Sequence, residues 1–138
     1  MVKEAELEVW GRAVPKRKKA DILVIDDERD ISDLLSEYLN NLGYNAVPVY
    51  SGTDGLARLE EGRYDLIITD LMMPEITGME LIKIVGEKNI NIKIIVMTGY
   101  EIMKSGAESI AKNVHGYIEK PFRLNEIQAI VDGALEKK

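Results

Sequence analysis

The sequence predicts an α/β domain, a three-layer doubly wound (βα)5 sandwich with helices on both faces of a five-stranded parallel sheet. Three observations predict it. Short unbroken apolar runs rich in β-branched residues, such as Ile22-Leu23-Val24-Ile25 and Leu66-Ile67-Ile68, have the length and composition of strands buried on both faces. Between such runs, apolar residues return at three- and four-residue spacing, the period of a helix with one buried stripe. The two patterns alternate along the chain, and parallel strands need a crossover helix between them.

The elements follow in order. Residues 1–20 show neither period, and Pro15 followed by Lys16-Arg17-Lys18-Lys19 reads as an exposed extension or linker ahead of a domain over residues 21–138. The first strand leads to a helix over Asp30–Leu42, with Ile31, Leu34, Leu35, Tyr38, Leu39 and Leu42 on one side and Gly43 as its stop. Tyr44–Tyr50 reads as a strand, and Pro48, which has no N–H to donate to a ladder, puts it at a sheet edge. A short helix over Thr53–Glu61 ends at Gly62, and the strand Leu66–Ile68 follows. Next come a helix over Gly78–Lys88, a strand over Ile92–Met97, a weakly apolar helix around Glu101–Asn113 and a strand near Gly116–Glu119. A last helix presents Leu124, Ile127, Ile130, Val131, Ala134 and Leu135 on its apolar side. Right-handed crossovers in units this short favour the flavodoxin-like strand order 2-1-3-4-5, which places ligands beyond the carboxyl ends of the strands.

Composition removes many chemistries. The 138 residues include no cysteine and one histidine, His115, which excludes disulfide scaffolds, thiolate zinc sites, cysteine nucleophiles and two-histidine metal sites. Carboxylates, hydroxyls and lysine remain. The formal charge is −6, and residues 1–20 hold six basic against three acidic side chains, so the body of the chain is more acidic than the whole. That balance argues against direct nucleic-acid binding. No apolar run approaches a membrane span and no secretory signal opens the chain, so a cytoplasmic protein without membrane association is expected.

The residues just past the strands concentrate chemistry in one place. Asp26 and Asp27 follow the first strand, Asp70 the third, Thr98 the fourth and Lys120 the fifth. In the order 2-1-3-4-5 these strands are neighbours, so the five side chains share one crevice. Three carboxylates together repel one another unless a cation lies among them, and hard oxygen donors suit Mg²⁺. A lysine and a hydroxyl beside them supply what a phosphoryl group needs. Taken singly, each acid has a plainer use in a loop or as a helix cap, Asp26 or Asp30 for the first helix among them. That use does not account for the lysine and the threonine at adjacent strand ends.

Four segments carry a resemblance: Ile25-Asp26-Asp27-Glu28, Thr69-Asp70-Leu71-Met72-Met73-Pro74 with Gly78, Met97-Thr98-Gly99, and Tyr117-Ile118-Glu119-Lys120-Pro121-Phe122. Collinear over residues 20–138, they resemble the receiver domain of bacterial response regulators, chemotaxis regulators among them. The resemblance implies a two-component phosphorelay. Asp70 would accept a phosphoryl group from a histidine kinase or phosphotransfer protein. Asp26, Asp27, Asp70 and the main-chain carbonyl of Met72 would hold Mg²⁺, Asp26 largely through metal-bound water. Lys120 would pair with the phosphoryl oxygens, Thr98 would swing to hydrogen-bond them, and Tyr117 would turn inward as the second switch residue. Lys120-Pro121 would be a cis peptide. Such a domain is a phosphoacceptor that catalyses its own phosphorylation and dephosphorylation rather than an enzyme on a separate substrate, and it acts on a downstream protein target or output domain. The alternative is a phosphorylation-independent binding module of the same fold.

Departures from the commonest pattern add expectations. Gly99 stands where alanine is usual. Met72 and Tyr100 are bulky at positions that tune access of hydrolytic water in the family, which predicts slow self-dephosphorylation. His115, beside Gly116, reads as a solvated loop histidine. With one helix after Lys120, the sequence fits either a stand-alone receiver or one domain of a longer regulator, to which residues 1–20 would be a linker.

Overall fold

In the computed structural model, residues 20–99 and 114–136 are described. The apolar runs form the sheet: β1 (Asp21–Ile25), β2 (Asn45–Val49), β3 (Leu66–Asp70), β4 (Lys93–Gly99) and β5 (Gly116–Lys120). The periodic segments form α1 (Arg29–Asn41), α2 (Gly52–Glu61), α3 (Gly78–Glu87) and α4 (Leu124–Glu136). All neighbouring strands pair parallel, in the order β2-β1-β3-β4-β5. The order expected from sequence is the one observed, with Pro48 on the edge strand opposite Val24. The helix expected around Glu101–Asn113 lies outside the described residues, as does the extension up to residue 19.

Alternate residues of each strand feed two cores. Ile22, Val24, Ile68 and Met97 meet Leu35 and Leu39 of α1 and Ile127, Val131 and Ala134 of α4 on one face. Leu23, Ile25, Ile67 and Val96 meet Leu81, Ile82 and Val85 of α3, with Leu56 and Leu59 of α2 against them, on the other. Each fully buried aliphatic side chain stabilises the fold by about 1.5–3 kcal/mol relative to exposure.

Helix ends orient the strand ends. Gly43 adopts a left-handed φ of 101°, its N–H donates to Asn40 O at 3.0 Å, and the Tyr44 N–H donates to Leu39 O at 3.1 Å. This Schellman turn ends α1 and feeds β2. Gly62 also ends its helix, in extended conformation. At the start of α3, Thr77 Oγ1 accepts from the Glu80 N–H while Glu80 Oε1 accepts from the Thr77 N–H, a reciprocal capping box. Strand β4 runs two residues beyond its apolar stretch because Thr98 and Gly99 pair with Glu119 and Lys120 of β5.

His115 departs from the expected solvated loop residue. It is half-buried, its Nδ1 accepts the Ile94 N–H at 3.1 Å, and its own N–H donates to Ile94 O at 2.7 Å. The side chain extends the pairing of β4 with the approach to β5, a role that depends on register across the two strands.

Candidate functional site

The crevice at the carboxyl ends of β1, β3 and β5 is built by short-range backbone contacts. Ser32 of α1 is buried and its Oγ donates to Val24 O at 2.9 Å and Val49 O at 3.2 Å, tying the helix to the ends of β1 and β2. The Asp26 N–H donates to Val49 O at 3.2 Å, so the acid that follows β1 is fixed where the first two strands part. Asp26 is fully buried, with Oδ1 accepting the Glu28 N–H at 2.9 Å. Asp27 is exposed at the rim.

Neither Asp26 nor Asp30 caps α1, contrary to the plainer use open to them in the sequence. Glu28 stands at the N-cap without a side-chain cap bond, and its carboxylate turns away toward Lys120. Asp30 lies inside the first turn, where its charge complements the helix dipole.

Asp70 ends β3 nearly buried. Its Oδ1 accepts the Met72 N–H at 3.1 Å and its Oδ2 accepts from Lys120 Nζ at 3.0 Å. Gly78 lets α3 come this close: its N–H donates to Leu71 O at 3.1 Å, and a Cβ there would stand 2.1 Å from Asp70 O. Met72 itself projects into solvent, 61% exposed.

Lys120 reaches across the sheet to three carboxylates, with Nζ 2.8 Å from Asp26 Oδ2, 3.0 Å from Asp70 Oδ2 and 3.2 Å from Glu28 Oε1. The Lys120-Pro121 peptide is cis. Burial pulls the ammonium toward its neutral form, but the close carboxylates of Asp26 and Asp70 outweigh it and hold the lysine protonated above its ordinary range. Burial likewise pushes the Asp26 carboxyl above the usual carboxylate range, while Lys120 and the Glu28 N–H pull it back.

Thr98 is buried, and its Oγ1 makes no hydrogen bond among the described residues. Tyr117 pairs with Val96 across the β4–β5 ladder and packs half-buried against the core under α2 and α3. Tyr100 lies outside the described residues.

Asp26, Asp27 and Asp70 each offer an oxygen, and the three oxygens lie within 4.8 Å of one another. Three of these four carboxylates, counting Glu28, contact the Lys120 ammonium. Hard, acidic donors with one member at an exposed rim fit a small divalent cation that keeps part of its water, such as Mg²⁺. The residues present therefore fit the metal that the sequence pattern implies.

A family model described as response regulator receiver domain matches residues 22–132. The chain belongs to that family. Among curated relatives, this receiver domain is 33% identical over 119 residues to the transcriptional regulatory protein ZraR of Salmonella typhimurium, covering 86% of this chain and 27% of that protein. It is 30% identical to the transcriptional regulatory protein YcbL of Bacillus subtilis, covering 83% of this chain and 50% of that one. The receiver domain thus spans half or less of the length of these two relatives.

Among solved structures, it superposes on the response regulator TrrA of Thermotoga maritima, crystallised in complex with Mg(2+)-BeF, with a TM-score of 0.72 and 34% identity over 82% of this chain and 96% of that one. It superposes on FixJ-N with a TM-score of 0.78 and 29% identity, covering 88% and 98%. These likenesses and the acidic pocket fit a phosphorylation site, and a phosphorylation-independent module of the same fold is not favoured.

Glu28 is the site residue that sequence reading passes over. Its place after two aspartates is visible, but its partner is 92 residues away, and only the paired strand ends bring them together.

Proposed function

We propose that this receiver domain accepts a phosphoryl group on Asp70 from a histidine kinase or phosphotransfer protein and thereby switches a protein-interaction surface. One observation carries the reading: Asp70 is nearly buried with one oxygen on the Met72 N–H and the other on Lys120 Nζ, next to the remaining two acids of the cluster. Phosphoryl transfer depends on positioning and charge neutralisation more than on covalent assistance, and this site is arranged for both.

In the step itself a carboxylate oxygen of Asp70 attacks phosphorus, the bond from phosphorus to the donor breaks, and the donor leaves with the electron pair. The product is an acyl phosphate. Water later attacks it, releasing inorganic phosphate and restoring the carboxylate. Asp26, Asp27, Asp70 and the Met72 carbonyl would hold Mg²⁺, which when bound neutralises charge on the transferring group. Lys120 supplies a fixed positive charge against the phosphoryl oxygens. The Thr98 hydroxyl, without a hydrogen bond among the described residues, donates to them, and Tyr117 follows it inward. The bulky Met72, two residues past Asp70, restricts access of water to the acyl phosphate, so self-dephosphorylation is slow.

The domain catalyses its own phosphorylation and dephosphorylation and turns over no separate substrate. Its output passes to a downstream protein target or output domain in the cytoplasm, without direct nucleic-acid or membrane binding by this domain. No described helix is long and apolar enough to cross a membrane. The test is intact mass after incubation with acetyl phosphate. One phosphate is gained with Mg²⁺, none without it and none in Asp70→Ala; gain by Asp70→Ala equal to wild type contradicts the reading.

A further inference from the structure

Three carboxylates surround Lys120 Nζ, which donates hydrogen bonds to Asp70 and Glu28 and pairs with Asp26 by charge alone. Two of these belong to the site by any reading: Asp26 is fully buried, and Asp70 carries the reacting oxygen. The third, Glu28, stands at the N-cap of α1 with a side chain 64% exposed, and its Oε1 accepts from Nζ at 3.2 Å. It makes no cap bond to its own helix, although the shorter aspartate commonly makes one at that position.

A phosphoryl group on Asp70 needs a proton of Lys120 for one of its oxygens. Asp26 does not yield one, because its buried Oδ2 pairs with Nζ by charge alone. Glu28 can, because its carboxylate returns to water at little cost. We propose that Glu28 is a positioning residue that occupies the Lys120 proton needed by the incoming phosphoryl group, so that its carboxylate competes with the phosphodonor and restrains phosphorylation of Asp70. This deepens the phosphoacceptor reading and rests on it.

The test compares wild type, Glu28→Gln, Glu28→Ala and Glu28→Asp, following phosphorylation by intact mass across acetyl phosphate concentrations at fixed Mg²⁺. Glu28→Asp keeps the charge but is one methylene too short for the contact. All three variants are expected to be phosphorylated about two- to fivefold faster at limiting donor, the range set by an exposed ion pair. The gain falls on KM for acetyl phosphate, with the saturating rate unchanged; a general structural effect would move both. Variants that match wild type at limiting donor, a change confined to the saturating rate, or a Glu28→Asp that behaves as wild type while Glu28→Gln does not, each overturn competition by contact. A wild type that gains no phosphate overturns the phosphoacceptor reading instead, and this inference with it.

Discussion

Thr98 shows how one side chain can be unfavourable in one state and useful in another. A buried hydroxyl without a partner costs about 1–3 kcal/mol, and Thr98 Oγ1 is such a group among the described residues. Replacing it by the isosteric valine removes that cost, so Thr98→Val is expected to raise stability in urea by about 1 kcal/mol. The same change removes a donor to the phosphoryl group, so the phosphorylated state loses what the resting state gains. A Thr98→Val protein no more stable than wild type would mean that the hydroxyl is already satisfied. At this scale the sequence was most informative about Asp26, Asp27, Asp70, Thr98 and Lys120, because each lies at or beside the carboxyl end of a strand and strand order alone makes them neighbours. It was least informative about Glu28 and His115, whose partners Lys120 and Ile94 are set by three-dimensional pairing rather than by local pattern.

Among the elements, the junction of β3 with α3 governs the geometry of Asp70. The capping box of Thr77 and Glu80 fixes where α3 starts, and Gly78 lets that start press against the Asp70 carbonyl. A Cβ on residue 78 would stand 2.8 Å from the Leu71 Cα as well, so backbone must move to admit it. Gly78→Ala is expected to lower stability by about 2–3 kcal/mol in urea unfolding and to slow phosphorylation by acetyl phosphate. Gly99→Ala is the control, because a Cβ there meets nothing within 4 Å among the described residues, and its stability should stay within about 0.5 kcal/mol of wild type or rise. Equal stability of the two variants would contradict this account of the junction. Element types were legible because the apolar period switches cleanly from strand to helix. Their ends were less so: β4 gains Thr98 and Gly99 only through pairing with β5, which a run of apolar residues cannot announce. The Thr77-x-x-Glu80 pattern is a local signal in the sequence for the start of α3.

Across the whole molecule, the end of the sheet opposite the site is tied by Tyr44, ahead of β2, whose hydroxyl donates to Asp132 of α4. Burial and the neighbouring carboxylate both push the phenol above its ordinary 10.0. The unfolded phenol therefore ionises first, so this contribution to stability is intact below pH 10.0 and is lost as pH rises through the folded value. Tyr44→Phe is expected to cost about 1.5 kcal/mol at neutral pH, the value of a hydrogen bond to a charged group, and to flatten the alkaline fall in stability. Thermal unfolding from neutral to alkaline pH checks both; an unchanged alkaline slope would assign that fall to other groups.

The sheet order and the four described helices were readable from alternation and from Pro48, while the two separate cores emerge only when the strand faces are known. The central claim is that Asp70, and neither of its two acidic neighbours, carries the phosphoryl group. The most direct measurement is peptide mass mapping after borohydride reduction of the acetyl phosphate-treated protein, which converts an aspartyl phosphate to homoserine. Homoserine at position 70 alone is the predicted result; homoserine at position 26 or 27, with Asp70 unmodified, would contradict it.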